Sequence, residues 1–228
     1  MSELMNNKLV NTKILGVLFD LDGTLLDTAN DLGEALNYVL RKYGLDEVAR
    51  EDYRPIASDG ALGLLTLGFA DSLQKYDYEQ LRAEFLAYYE ENIALHTCLY
   101  PEVSELLLTL NERKIPWGVV TNKPEGLTRL LLPYFAEFEN CLSLIGGDTF
   151  VNRKPHPEPI LRACEAIFVA SDQCLYVGDA LRDIQAGNSA KSTTVIAKWG
   201  YILANEDCTT WQADHHAENP LDILSLIK

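Results

Sequence analysis

The sequence predicts an α/β protein, a doubly wound and mostly parallel sheet interrupted by one inserted block of helices, and three observations carry that prediction. Short β-branched or otherwise apolar runs of strand length recur at 14–20, 115–121, 141–148, 174–179 and 193–197. Stretches with helical spacing separate the later runs, at 103–114, 125–135 and 157–168, and strands that alternate with helices pair in parallel. The alternation breaks only between about Thr28 and Tyr100, where 29–44, 61–73 and 78–95 have helical character and no run reads as a strand. A usual loop has about 4–6 residues. The expected organisation is therefore an α/β core domain of 1–27 and 101–228, with a helical cap domain of 28–100 inserted into it.

Composition agrees and excludes several kinds of partner. With 228 residues and 47% hydrophobic content, the chain can bury one substantial core and a small inserted domain. Its 34 acidic and 19 basic residues give a net charge of −15, which argues against nucleic acid, because phosphate backbones bind positive surfaces. A small anionic ligand stays compatible, since a few cations and a bound metal reverse the field inside one cleft. The five cysteines, Cys98, Cys141, Cys164, Cys174 and Cys208, show no metal-ligand spacing and read as reduced thiols. The opening segment MSELMNNKLVNTK is polar, and no later run approaches the about 20 apolar residues of a membrane span. The expectation is a cytoplasmic monomer or homodimer with no membrane partner.

Along the chain, the ends of the strands carry the chemistry, as in open α/β sheets generally. After the first run come Asp20 and Asp22; residues two apart in extended backbone project to one side, so both carboxylates can face one pocket while Leu21 points away. Gly23 permits a tight turn and close backbone approach. In the inserted block, the loop Ala57-Ser58-Asp59-Gly60 reads either as a polar contact to a substrate's leaving group or as a helix N-cap at Ser58 or Asp59. Thr121 and Asn122 end the second run, and Pro124 suits the first turn of a helix whose free N–H groups point into the same cleft; a hydroxyl and such donors make a phosphate cradle. Arg54 and Lys123 are cations able to meet a substrate carboxylate. Lys154 stands among Pro155, Pro157 and Pro159, which restrict the backbone and hold an ammonium able to offset negative charge. Asp179 and Asp183 flank the last strand-to-helix switch, and hard carboxylate oxygens suit Mg²⁺. His156, His215 and His216 read as exposed. Each feature alone has an ordinary explanation as a turn, cap or surface residue; four such clusters at successive strand ends do not.

In this order, DLDGT at 20–24, Thr121, Lys154 and GDALRD at 178–183 resemble the four motifs of the haloacid dehalogenase superfamily, over nearly the whole chain. The resemblance implies a Rossmann-like core with a cap, and Asp22 places the chain with the phosphatase branch, since true dehalogenases lack that acid. It further implies that Asp20 is the nucleophile and Asp22 the acid and base. Mg²⁺ would be held by Asp20, Asp179 and the Asp22 carbonyl, with Asp183 beside it, while Lys154, Thr121, Asn122 and Gly23 meet the phosphoryl group of a small phosphorylated metabolite. VVTNKPE and RKPHPEPIL look most like the phosphoglycolate phosphatase group, whereas LYPEVSELL, WGVVTNKP and WGYI are similar to the N-acetylmuramic acid 6-phosphate phosphatase of cell-wall recycling. A β-phosphoglucomutase-like phosphotransferase shares the same parts. A non-catalytic regulatory binding protein on this scaffold would be expected to have lost one of them, and none is missing.

Overall fold

The computed structural model describes residues 13–227; residues 1–12 and 228 of the expected core domain lie outside it. The chain enters through β1 (Gly16–Phe19), turns into a two-residue β2 (Leu26–Asp27) and then runs through α1 (Ala29–Lys42), α2 (Arg50–Tyr53), α3 (Gly60–Phe69) and α4 (Tyr78–Glu91). It returns through β3 (Cys98–Leu99), which pairs antiparallel with β2, Leu26 opposite Leu99. There follow α5 (Val103–Glu112), β4 (Trp117–Val120), α6 (Glu125–Leu131), β5 (Ser143–Ile145) and α7 (Glu158–Ala166). The last elements are β6 (Cys174–Gly178), α8 (Leu181–Ala190), β7 (Thr193–Ala197) and β8 (His215–Ala217). Among the described residues no helix is long and apolar enough to cross a membrane.

The main sheet has the order β5-β4-β1-β6-β7-β8 and every pairing in it is parallel. All four residues of β1 are buried, as in a parallel strand covered on both faces. Successive side chains alternate between faces: Val17 and Phe19 join the larger core with Trp117 and Leu175, while Leu18 packs on the other side with Val120, Ile160 and Tyr176. The chain passes from β1 to β4 and β5 on one side, then crosses to β6 on the other, so a topological switch point opens beside β1. Register finishes the job: Phe19 lies opposite both Val119 and Val177. The residues that follow these strands therefore emerge along one edge of the sheet.

The helical insertion has a core of its own that continues into the larger one. Leu32, Leu36, Val39 and Leu40 of α1 are buried with Leu64 and Leu65 of α3 and Leu81 and Phe85 of α4. Truncating a buried leucine such as Leu36 to alanine costs about 2–5 kcal/mol.

Three differences from the sequence reading are physical in origin. The segment of 28–100 read without a strand holds β3 at its end, paired with β2 just before its start, a pairing fixed by register across the insertion and not by local pattern. The sheet has a sixth strand, β8, whose only buried residue is Ala217; it joins through its backbone opposite Val195, so its sequence lacks an apolar stripe. His215 and His216 on it are exposed, as expected. The strand expected to run to Asp148 stops at Ile145, because Gly146 and Gly147 turn to pack on the backbone of Glu125 and Asn122.

Candidate active site

Asp20 leaves β1 almost wholly buried and meets the Lys154 ammonium, whose Nζ lies 2.8 Å from Asp20 Oδ1 and 2.7 Å from Asp183 Oδ1. That ammonium also donates to the Val120 carbonyl and the Tyr176 hydroxyl, each at 2.9 Å. Burial alone would lower the lysine pKa, but Asp183 and Asp20 outweigh it and the net shift is upward, so the charge is kept. The carboxylates feel the opposite balance. Burial pushes Asp20 up to about 6 against the pull of Lys154, and burial together with the charges of Asp20 and Asp183 pushes Asp179 up to about 7.

Asp20, Asp179 and Asp183 can bring one carboxylate oxygen each within 4.8 Å of the others, all three buried. Although Asp20 Oδ1 stands beside the ammonium, it lies outside hydrogen-bonding angles of every donor among the described residues. Three hard oxygen donors, an orphaned buried oxygen and mutual repulsion fit a divalent cation. The surroundings orient Asp179: the Tyr201 N–H donates to its Oδ2 at 2.9 Å and the Ser58 hydroxyl at 3.1 Å, while the Thr24 hydroxyl donates to Oδ1 at 3.3 Å. Gly23, at φ +86°, explains the close packing here, since a Cβ on it would stand 2.1 Å from Asp179 Oδ2. Expected to meet phosphate, Gly23 instead lies against this carboxylate and does not line the cavity above Asp20.

That cavity, about 790 Å³, is bounded by Asp20, Asp22, Thr121, Asn122 and Lys154 from the sheet edge and by Ser58, Asp59 and Gly60 from the insertion. Asp22 turns away from the three-carboxylate group: its Oδ1 accepts from the Thr28 hydroxyl at 2.7 Å and from Lys123 Nζ at 3.1 Å. Leu21 is fully buried and faces the core, as the two-residue spacing requires. The Asn122 side chain is already committed, donating to the Lys154 carbonyl at 2.9 Å and accepting from the Lys154 N–H at 3.1 Å; it positions the lysine loop. Thr121 Oγ1 accepts from the Lys123 N–H at 3.1 Å, and Pro124 caps α6 in place of entering its first turn.

The two cations expected to meet a substrate carboxylate are both engaged elsewhere. Lys123 Nζ binds Asp22 and donates to the Tyr89 hydroxyl at 2.8 Å, and burial notwithstanding, these partners raise its pKa. Arg54 pairs with Asp27 at 3.4 Å and lies over the Tyr201 ring, away from the cavity lining. The insertion loop makes no side-chain helix cap: Ser58 reaches Asp179, and Asp59 pairs with Arg182 at 2.9 Å. Sequence reasoning passed over Arg182, Tyr176 and Tyr201. Arg182 stands inside GDALRD and Tyr201 inside WGYI, where their neighbours were the signal; Tyr176 is a plain strand residue until the fold brings its hydroxyl to Lys154.

The family model described as haloacid dehalogenase-like hydrolase matches residues 17–197, which include all four strand-end clusters. The chain belongs to that family of hydrolases. Among relatives of this haloacid dehalogenase-like chain is the phosphoglycolate phosphatase of Xanthomonas campestris pv. campestris (strain 8004), 44% identical over 90% of this chain and 92% of that one. The N-acetylmuramic acid 6-phosphate phosphatase of Pseudomonas putida is 35% identical over 94% of this chain and 96% of its own. Among solved structures, a predicted phosphoglycolate phosphatase from Haemophilus somnus 129pt superposes with a TM-score of 0.84 at 28% identity, covering 93% of this chain and 97% of that one.

Proposed function

We propose that this hydrolase is a Mg²⁺-dependent phosphatase in which Asp20 takes the phosphoryl group of a small phosphorylated metabolite. The observation that carries the reading is the set of buried carboxylates around Lys154, with Asp20, Asp22 and Lys154 on the floor of a cavity whose upper wall is the helical insertion. Asp20 attacks phosphorus in line; the ester P–O bond breaks as Asp22 donates a proton to the departing alcohol oxygen. Asp22 then accepts a proton from water, the water oxygen attacks phosphorus, and the bond to Asp20 breaks to release phosphate. Lys154 offsets the charge gathering beside Asp20, and the Thr121 hydroxyl with the Asn122 backbone N–H meets the phosphoryl oxygens. Asp20, Asp179, Asp183 and the Asp22 carbonyl would hold Mg²⁺, whose charge would let an anionic nucleophile approach an anionic phosphate. Residues 28–100 act as a cap that encloses the leaving group.

On the strength of the 44% identical relative, phosphoglycolate is the first substrate to assay. The cavity of about 790 Å³ favours a second reading, a larger phosphorylated sugar acid such as the one named for the 35% identical relative. Turnover of an aryl phosphate with and without Mg²⁺, and by Asp20→Asn, tests the proposal. Activity should require both the metal and the carboxylate; full turnover by the variant or in chelator refutes it.

A further inference from the structure

Five cations line the cavity: Arg82, Lys123, Arg153, Lys154 and Arg182. Three are already neutralised, Lys154 by Asp20 and Asp183, Lys123 by Asp22, and Arg182 by Asp59 and the Ser58 carbonyl. Arg82 and Arg153 differ. Neither guanidinium forms an ion pair or a side-chain hydrogen bond with another described residue. An acidic neighbour is not lacking, because Glu79 lines the same wall three residues before Arg82, a spacing at which helical ion pairs form.

The two arginines come from opposite halves of the molecule, Arg82 from α4 and Arg153 from the loop just before Lys154. Tyr78 lines the same cavity as both, and its pKa, raised by burial and by Glu79, is pulled back by the charges of Arg82 and, more weakly, Arg153. Tyr78, Arg82, Phe85 and Tyr89 share one face of α4, and all line the cavity. Tyr89 marks the catalytic end of that face, since its hydroxyl meets the lysine bound to Asp22. Arg82 stands seven residues earlier, roughly 10 Å along the helix. Two unpaired guanidiniums facing one cavity in a chain of net charge −15 mark a place for a second anion, removed from the phosphoryl group. Glu79 on the same wall repels a dianion more than a monoanion, and a guanidinium fork matches a planar carboxylate.

We infer that Arg82 and Arg153, which line one cavity with Tyr78, form a leaving-group subsite for a carboxylate carried by the substrate. This rests on the phosphatase reading and narrows it to phosphate monoesters of hydroxy acids, either a short one or a sugar acid. The test uses two pairs of compounds that differ in the carboxylate: 2-phosphoglycolate against 2-hydroxyethyl phosphate, and N-acetylmuramic acid 6-phosphate against N-acetylglucosamine 6-phosphate. In the wild-type chain with Mg²⁺, the preferred pair tells the short acid from the sugar acid. Within that pair, Arg82→Gln and Arg153→Gln should each lower the ratio of kcat/KM, carboxylate over neutral, on the order of ten-fold or more. Unchanged ratios in both variants overturn the subsite. Calorimetric binding of the same four compounds to Asp20→Asn protein, with and without Arg82→Gln, separates the two failures. Absence of turnover by the wild-type chain refutes the phosphatase reading, whereas absence of any arginine-dependent preference in binding refutes the subsite.

Discussion

The floor and the roof of the cavity are built on opposite principles. On the floor most charged side chains meet a counter-charge, Arg153 excepted: Lys154, 2% exposed, bridges Asp20 and Asp183, Lys123 pairs with Asp22, and Asn122 clamps the Lys154 backbone from both sides. The roof sets Ala57, Leu62, Phe85 and Leu86 beside Asp59, Glu79 and the unpaired Arg82. Phosphoryl transfer tolerates little displacement of the reacting groups, so the floor is rigidly over-determined. A leaving group needs room and one or two directional contacts, so the roof mixes apolar surface with a cation left unengaged. Bonds that join the halves at the cavity include Ser58 to Asp179, Arg182 to Asp59 and the Ser58 carbonyl, and Lys123 to the Tyr89 hydroxyl.

The comparison breaks most severely if the floor tolerates change. Asp20→Asn should reduce kcat on every substrate by about 10³-fold or more, measured under saturating Mg²⁺. Lys154→Met comes next: it leaves Asp20 and Asp183 facing one another without a cation, so urea denaturation in chelator should show a loss of about 3–5 kcal/mol, with activity lost in parallel. Tyr176→Phe removes a hydroxyl that accepts from Lys154 and itself donates to the Val120 carbonyl at 2.9 Å; a fall of about 1–3 kcal/mol in stability and a drop in kcat larger than any rise in KM are expected.

A pH series sharpens the same contrast. Asp20 and Asp179 protonate near about 6 and about 7 in the metal-free fold, against 3.8 for an ordinary aspartate. The folded chain therefore binds more protons than the unfolded one in that window, and the stability contributed by these groups is full below about pH 4 and lost as pH rises through their folded values. In chelator, melting temperature relative to Asp179→Asn should fall from about pH 4 to about pH 7. Because a ligand must be deprotonated, the rise in melting temperature on adding Mg²⁺ should grow over the same range; a rise independent of pH removes the three carboxylates as the binding site. The smallest effect belongs to the seam between floor and roof. Ser58→Ala, which deletes one hydrogen bond to Asp179, should change stability by about 0.5–1.5 kcal/mol and alter aryl phosphate turnover less than ten-fold.

Much of this was legible in the chain. The strand runs, the helical insertion, the paired acids at Asp20 and Asp22, and Lys154, Asp179 and Asp183 all follow from periodicity and from polar residues at strand ends. Those signals are local. A buried parallel strand announces itself in four apolar residues, and a carboxylate two positions after another shares its side by backbone geometry alone.

What the tertiary structure decided was partnership. Lys123 and Arg54 look in sequence like cations free for a substrate, and packing commits both, to Asp22 and to Asp27. The Asn122 side chain looks free for a phosphate and is committed to clamping the loop of Lys154. Arg82 and Arg153, unremarkable along the chain, are left as the unpaired cations of the cavity. The reason is that a side chain's chemistry is fixed by its type, whereas its availability depends on which neighbour reaches it first, and those neighbours come from segments tens of residues away.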